Sequence, residues 1–362
     1  MSRKNIKGSY AFNKEMGVMF DDFIMKEMKS RPDYNILSVL YKKFFQKKLG
    51  IPHQRVSQVF IAAKLFGIDI EKKRDELLRL ASVPELLIWS EYAFNWVTDG
   101  KNNESETKYE DNLNLITCQY LLTEVTNFLP ARMLKRYLEL YRWGIYGCLT
   151  VERDLRITNW PNMHDYGVFW DAYSDNHCIP DVGALYAYCF ELVRDYFNIQ
   201  MDKKTSEAIF RIGVEFGRGV QINGDLSDFM IPNDLVSTTE KRPQKDYFID
   251  IRTDRLTYPT WLLLRYAEIN DLELFALTIK SAEDRRYPNK DFYWRIHECL
   301  KSQGIIKIIL DYLSNEQERL IREVRQLSFN SEGMDLWIGS MQIFTHNKFQ
   351  KQLKKDYMII DA

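Results

Sequence analysis

Asp225 and Asp228 stand one helical turn apart just past a mostly apolar run, Gly219 to Ile222, in the stretch GVQINGDLSDFMIPND. Residues three apart on a helix share a face, so the two carboxylates point the same way. In an apolar neighbourhood such a pair is costly unless something cationic lies between them. Upstream, Glu91, Asn95 and Asp99 recur every four residues in a helix otherwise built of Tyr, Phe, Trp and Val. Opposed to Asp225 and Asp228, that stripe of oxygen-bearing side chains would supply hard ligands for Mg²⁺. The ion typically takes one or two carboxylates, with water and substrate phosphates completing its octahedron. Taken alone, each group also fits a plainer description, an acidic helix end emerging into solvent.

The elements that must position these residues read as helical almost throughout. Phe20, Phe23, Ile24 and Met28 follow the i, i+3, i+4 pattern, as do Leu37, Leu40, Tyr41, Phe44 and Phe45. A strongly apolar helix, VSQVFIAAKLFGIDI, ends at Gly67, a plausible C′ glycine. The helix ELLRLASVPELLIWSEYAFNWVTDG stops at Gly100 and a polar run. Further helical patterns cover Asn112 to Phe128, Ala131 to Leu149, Val182 to Phe197, Thr205 to Phe229 and Pro259 to Ile269. The stretch between Leu149 and Val182, RITNWPNMHDYGVFWDAYSDNHCIPD, reads as irregular, with Asp154 and Arg156 on the surface. With no strand alternation and no linker, the expectation is one all-α domain spanning residues 1–362.

Composition sets the outer limits. Fifty basic against 51 acidic residues give a net charge of -1, so no global field marks a nucleic-acid binder. Five scattered cysteines without a C-x-x-C pair fit a reducing compartment, and five histidines lack ligand spacing, which argues against zinc. No stretch approaches the roughly 18 apolar residues of a membrane span. The expectation is a cytoplasmic protein. The amphipathic C-terminal segments EQERLIREVRQL and MDLWIGSMQIF suit packing or a dimer contact.

The order of these features resembles the trans-isoprenyl diphosphate synthase family, the all-helical prenyl-chain elongating enzymes. PELLIWSEYAFNWVTDG is similar to the helix carrying the first aspartate-rich motif, D-D-x-x-D. Glu85 falls on its upstream Glu, Asn95 on the first Asp, Trp96 on the second and Asp99 on the last. GVQINGDLSDF resembles the second motif, Q-I-x-D-D-x-x-D-F, with Gly224 on its first Asp and Asp225 and Asp228 retained. DIRTDRLTYPT resembles D-I-x-x-G-K-x-T-x-P, with Arg255 in place of the lysine. HQRVSQVF resembles G-K-R-x-R-P and its apolar helix, and DVGALY resembles K-T-G-x-L-F. The likeness is strongest over residues 51–266, with C-terminal helices over 267–362. It implies the isoprenoid synthase fold, a helical bundle around a central cavity. It also implies Mg²⁺ bound by Asn95, Asp99, Asp225 and Asp228, with Arg55, Lys241, Lys245 and Arg255 on the diphosphate, and a homodimer.

The departures narrow the implied chemistry. In the family, basic residues hold the diphosphate of the incoming five-carbon unit, and here Gln54, Ser57 and Asp181 stand in three of those places. Each lost charge-assisted contact removes roughly 1.5–3 kcal/mol. Ordinary chain elongation is therefore disfavoured. The resemblance then implies an enzyme that ionises an allylic prenyl diphosphate (geranyl, farnesyl or geranylgeranyl) with Asp99, Asp225, Asp228 and Arg255 as its catalytic residues. It would cyclise or deprotonate the cation as a terpene synthase does, or pass it to another acceptor. Trp89, Phe94, Trp96, Tyr186, Tyr188 and Phe216 are candidate wall residues or plain core. The alternative is a non-catalytic subunit that modulates an active homologue.

Overall fold

A computed structural model describes residues 3–30, 53–98, 127–231, 248–284, 290–345 and 347–359, together with 116, 119, 120, 123 and 125. Among them there is no strand, only an isolated antiparallel bridge between Arg156 and Arg255. The all-α expectation holds. No helix among the described residues is long and apolar enough to cross a membrane. Asp99, Lys241, Lys245 and the helix expected at Leu37–Phe45 lie outside the described residues, as does most of Asn112–Phe128.

The chain forms two compact units. The first comprises Met1–Arg142, Ala184–Val214 and Glu323–Ser340. Its centre is α2 (Gln54–Leu65), which packs against α1 (Arg3–Lys29), α3 (Arg74–Thr98) and the later helix Ala184–Tyr196. Ten of the twelve α2 residues are buried, as befits a helix surrounded on all sides. Gly67, at φ +74°, ends it as expected from sequence, in the left-handed conformation that a Cβ disfavours. Phe190 and Trp337, both buried, meet with ring centroids 4.4 Å apart.

The second unit comprises Trp143–Gly183, Glu215–Arg322 and Met341–Ala362. It holds the stretch that sequence reads as irregular, and here the structure differs. After α4 (Leu134–Arg153), the chain forms the short helices α5 (Trp160–Met163) and α6 (Tyr166–Trp170), then a π-helix over Asp171–Gly183. The π-helix closes i→i+5 bonds, so its buried positions recur at neither of the spacings, 3.6 or 2, that betray ordinary elements. Arg156 is likewise not a surface residue. Its side chain is 15% exposed, and the guanidinium pairs with Glu152 and donates to the Thr253 carbonyl at 3.2 Å. Helices α7 (Ala184–Tyr196) and α8 (Lys203–Leu226) follow.

Candidate active site

The second aspartate motif straddles a change of helix type. Asp225 lies in the last turn of α8, and Asp228 lies in the 3₁₀ turn Ser227–Phe229 that continues it. Both are 7% exposed. The buried side of α8 that sequence implied is therefore real, and the plainer description of a solvated helix end fails for this pair. Asp225 is held on both oxygens: Tyr173 Oη donates to Oδ2 at 2.5 Å and Gln221 Nε2 to Oδ1 at 2.9 Å. Burial raises the Tyr173 phenol well above its usual pKa, and the charge of Asp225 adds to it, so the phenol keeps its proton. Burial, again joined by Asp225, does the same to the neighbouring Cys178 thiol.

Around Tyr173 stands an aromatic ensemble. Phe169 stacks on Tyr173 at 5.3 Å and on Trp261 at 5.2 Å. Trp170 meets Tyr173 at 6.1 Å, Tyr258 at 5.3 Å and Tyr312 at 5.7 Å. Three of these rings come from α6 and the π-helix, and two from α9 (Ile249–Arg252) onward, in α10 (Tyr258–Asn270). Pro259 and a reciprocal Thr257–Thr260 capping box start α10.

Arg255 sits in the turn before α10, and main-chain bonds fix it there. Its N–H donates to the Asp250 carbonyl at 2.7 Å, Leu256 donates to Leu155 at 3.0 Å and Ile157 to Asp254 at 3.2 Å. Burial lowers the guanidinium to about 10, so it stays cationic at neutral pH. The same segment docks on the aspartate turn. Phe248 N donates to the Asp228 carbonyl at 3.2 Å, and the Phe229 and Phe248 rings lie 5.8 Å apart. From the far end of the chain, α11 (Lys290–Ser302) and the last helix (Lys348–Asp356) hold the exit of that turn. Tyr357 Oη donates to the Phe229 carbonyl at 2.8 Å, Tyr293 Oη to Met230 at 2.9 Å, and Asp356 accepts from Ile231 N at 3.1 Å.

In the first unit, the backbone of Asn95 lies in α3, and its side chain is outside the described residues, as are those of Phe94 and Trp96. Arg55, at the start of α2, lies over the Tyr186 ring at 5.1 Å, and the Tyr186 hydroxyl donates to Gln54. One tyrosine thus engages both Arg55 and Gln54. Trp89, Tyr188 and, in the second unit, Phe216 are buried. Asp181 is buried at the end of the π-helix, close to α4: a Cβ on Gly147 would lie 3.4 Å from that of Asp181.

Two features escaped sequence reasoning. One is Tyr173, hidden in the π-helix. The other is a charge triad in the first unit, where His53 Nδ1 meets Glu85 Oε1 at 2.7 Å and Nε2 meets Asp21 Oδ1 at 3.0 Å. Trp89 Nε1 also donates to Glu85 Oε1, at 3.1 Å. Burial alone would lower the imidazole pKa, but the bonds to Asp21 and Glu85 outweigh it and raise it to about 10. A polar histidine at the mouth of an otherwise apolar helix was the available signal.

Among the described residues no three His, Cys, Asp or Glu side chains gather as a metal cluster. Asp225 and Asp228 nevertheless fit a hard cation. Both are carboxylates, the donor class that such an ion prefers, and a Cβ on Gly224 would meet nothing within 4 Å.

No protein-family model matches the chain, and no curated protein matches it in sequence. Solved structures do match it in fold. A polyprenyl synthase from Caulobacter crescentus, complexed with calcium and isoprenyl diphosphate, superposes with TM-score 0.74 at 15% identity, over 95% of this chain and 98% of that one. A decaprenyl diphosphate synthase from Rhodobacter capsulatus gives 0.72 at 12%, over 95% and 99%. A geranylgeranyl pyrophosphate synthase from Corynebacterium glutamicum, complexed with isoprenyl diphosphate and magnesium, gives 0.70 at 13%, over 92% and 98%. At these identities the likeness is one of fold, and at that level the resemblance read from the motifs holds. The chain has the all-α isoprenoid synthase fold.

Proposed function

We propose that the chain ionises an allylic prenyl diphosphate in a Mg²⁺-dependent reaction and then cyclises or deprotonates the cation, or passes it to an acceptor other than isopentenyl diphosphate. The observation that carries this reading is the aromatic ensemble built directly onto the ligand-type carboxylate Asp225. In the reaction the allylic C–O bond breaks, the diphosphate leaves with the electron pair, and the carbon is left cationic. Ring faces such as those of Trp170 and Tyr258 attract a cation by about 0.5–2 kcal/mol each. Arg255, charged and rigidly placed, would meet the negative charge growing on the leaving group.

Asp225 and Asp228 are the proposed Mg²⁺ ligands, joined on sequence grounds by Asn95 and Asp99. Bound there, the ion supplies Lewis acidity toward the diphosphate oxygens. Arg55, Lys241 and Lys245 are proposed diphosphate contacts on the same grounds. The Corynebacterium structure, holding isoprenyl diphosphate and magnesium in this fold, supports the substrate and metal classes. The reading includes a homodimer. Leu138, Ile145 and Leu149, 55%, 42% and 60% exposed, share one face of α4, and sedimentation reports whether two copies associate.

Purified protein incubated with Mg²⁺ and geranyl, farnesyl or geranylgeranyl diphosphate, with and without isopentenyl diphosphate, tests the proposal. A hydrocarbon or alcohol formed without isopentenyl diphosphate is expected, and Asp225→Ala abolishes it. Longer diphosphates would overturn the proposal in favour of elongation. A second reading, a non-catalytic partner subunit, is favoured by the buried Asp181 and by Gly224 in place of a ligand. It is supported if the protein is inert alone and alters the activity of a homologous synthase.

A further inference from the structure

One cavity of the first unit is lined by no residue of the sequence motifs. It encloses about 350 Å³, within the range of small-ligand sites, and its lining includes Arg132, Arg136, Arg194, Asp195, Tyr188 and Met133. The 3₁₀ turn Ala131–Met133 and the first turn of α4 supply Met133 and two of the arginines, and α7 supplies Tyr188, Arg194 and Asp195. Carboxylates order the arginines without saturating them. Arg136 Nε and Nη2 donate to Glu191 Oε2 at 3.0 and 2.8 Å, and Nη1 reaches the half-exposed Glu139 at 3.4 Å. Arg194 Nε donates to Asp195 at 2.7 Å, and Nη1 donates to the Ser206 hydroxyl. Arg132 Nη2 donates to the Tyr196 carbonyl at 3.3 Å, and among the described residues no carboxylate pairs with it. A guanidinium has five N–H donors, so these bonds leave several unused around the cavity. Tyr188 is buried, and its hydroxyl has no hydrogen-bond partner among the described residues. Burial raises the phenol well above its usual pKa, so it remains a donor. An unpaired buried donor is costly, and one that lines a cavity of arginines suits a ligand oxygen.

We propose that this cavity is a second anion site, one that binds the phosphate group of a small organic molecule. Planar guanidinium forks match phosphate oxygens in pairs. Arg132 brings a charge that no carboxylate offsets, and Met133 with the Tyr188 ring gives the rest of the ligand an apolar floor. A phosphate ester therefore fits better than the free ion. The lining includes none of the residues proposed for Mg²⁺ or the prenyl diphosphate, so the site stands whether or not that reading does.

Isothermal titration calorimetry of the full chain, at low salt and without Mg²⁺, tests the proposal with phenyl phosphate and with inorganic phosphate. Phenyl phosphate is expected to bind, and more tightly than inorganic phosphate. Equal affinities would overturn the preference for an ester and assign the site to free phosphate. Arg132→Ala, at an exposed position, should weaken binding about tenfold or more, the worth of one charge-assisted bond. Tyr188→Phe separates a ligand donor from a structural group. Removing an unpaired hydroxyl should leave the urea midpoint unchanged or higher, while affinity falls several-fold. A Tyr188→Phe variant that binds like wild type overturns the role of the phenol. Arg55→Ala, measured alongside, should bind as wild type does. Absence of binding by either anion, affinity within about twofold of wild type in Arg132→Ala, or a loss in Arg55→Ala instead, overturns the proposal.

Discussion

Replacing His53 by leucine would remove the cation from between Asp21 and Glu85 and leave two carboxylates facing an apolar side chain. The wild-type imidazole is 16% exposed on its side chain and Glu85 is 5% exposed, so little solvent screening weakens the triad. Its pKa rises from 6.5 to about 10 on folding. The folded value lies above the unfolded one, so the stabilisation is complete below pH 6.5 and is lost as the pH climbs through 10. Linkage puts it at roughly 4 kcal/mol at pH 7 and about 1.4 kcal/mol at pH 9. The first figure agrees with the 3–5 kcal/mol typical of breaking a buried ion pair on one side. Urea denaturation of wild type and His53→Leu at pH 7, 9 and 10.5 measures the difference. The gap should be of order 4 kcal/mol at pH 7 and close toward zero by pH 10.5, where the wild type has also lost its imidazolium. A gap below about 1 kcal/mol at pH 7, or one that stays constant with pH, refutes the triad as a charged device.

Three further outcomes follow from the geometry. Gly224→Asp adds a third carboxylate where a Cβ meets nothing within 4 Å, so under the proposed metal reading the variant should fold normally and gain stability from millimolar Mg²⁺ more than wild type does, as read by thermal shift. Gly213→Ala would place a Cβ 2.6 Å from the Cα of Ala187, a clash with backbone that cannot yield. A loss of about 1–3 kcal/mol is expected from such overpacking, measured as a lower denaturation midpoint. Tyr357→Phe removes the donor to the buried Phe229 carbonyl, and should cost about 1–3 kcal/mol while weakening metal binding beyond the loss in stability.

Much of the helical layout was legible because burial and period coincide. The end of α2 at Gly67 and the start of α10 at Pro259 each had a local cause, a left-handed glycine and a proline in the first turn. Asp225 and Asp228 were legible as a pair for the same reason, since an apolar helix carried them. Tyr173 was not, because the π-helix around it repeats at a spacing that ordinary period analysis does not test. His53 was not, because its partners lie 32 residues away on either side and no short pattern links them. Arg156 looked like one more surface charge, and only the pairing of residues 155–157 with 254–256 draws it inside.

The π-helix also has a bearing on insertions and deletions. Each residue of an α-helix turns the chain by about 100°, so a stretch that spends extra residues on its turns keeps the downstream face in phase only at its present length. Removing one residue anywhere between 171 and 183 would let the segment relax toward α-helix. Tyr173 and Cys178 would then no longer share a face, and the phenol would leave Asp225. Substitutions inside the stretch test single contacts, whereas a one-residue deletion shifts the register of the whole segment. Length, more than composition, is therefore what natural variation in this segment can least change.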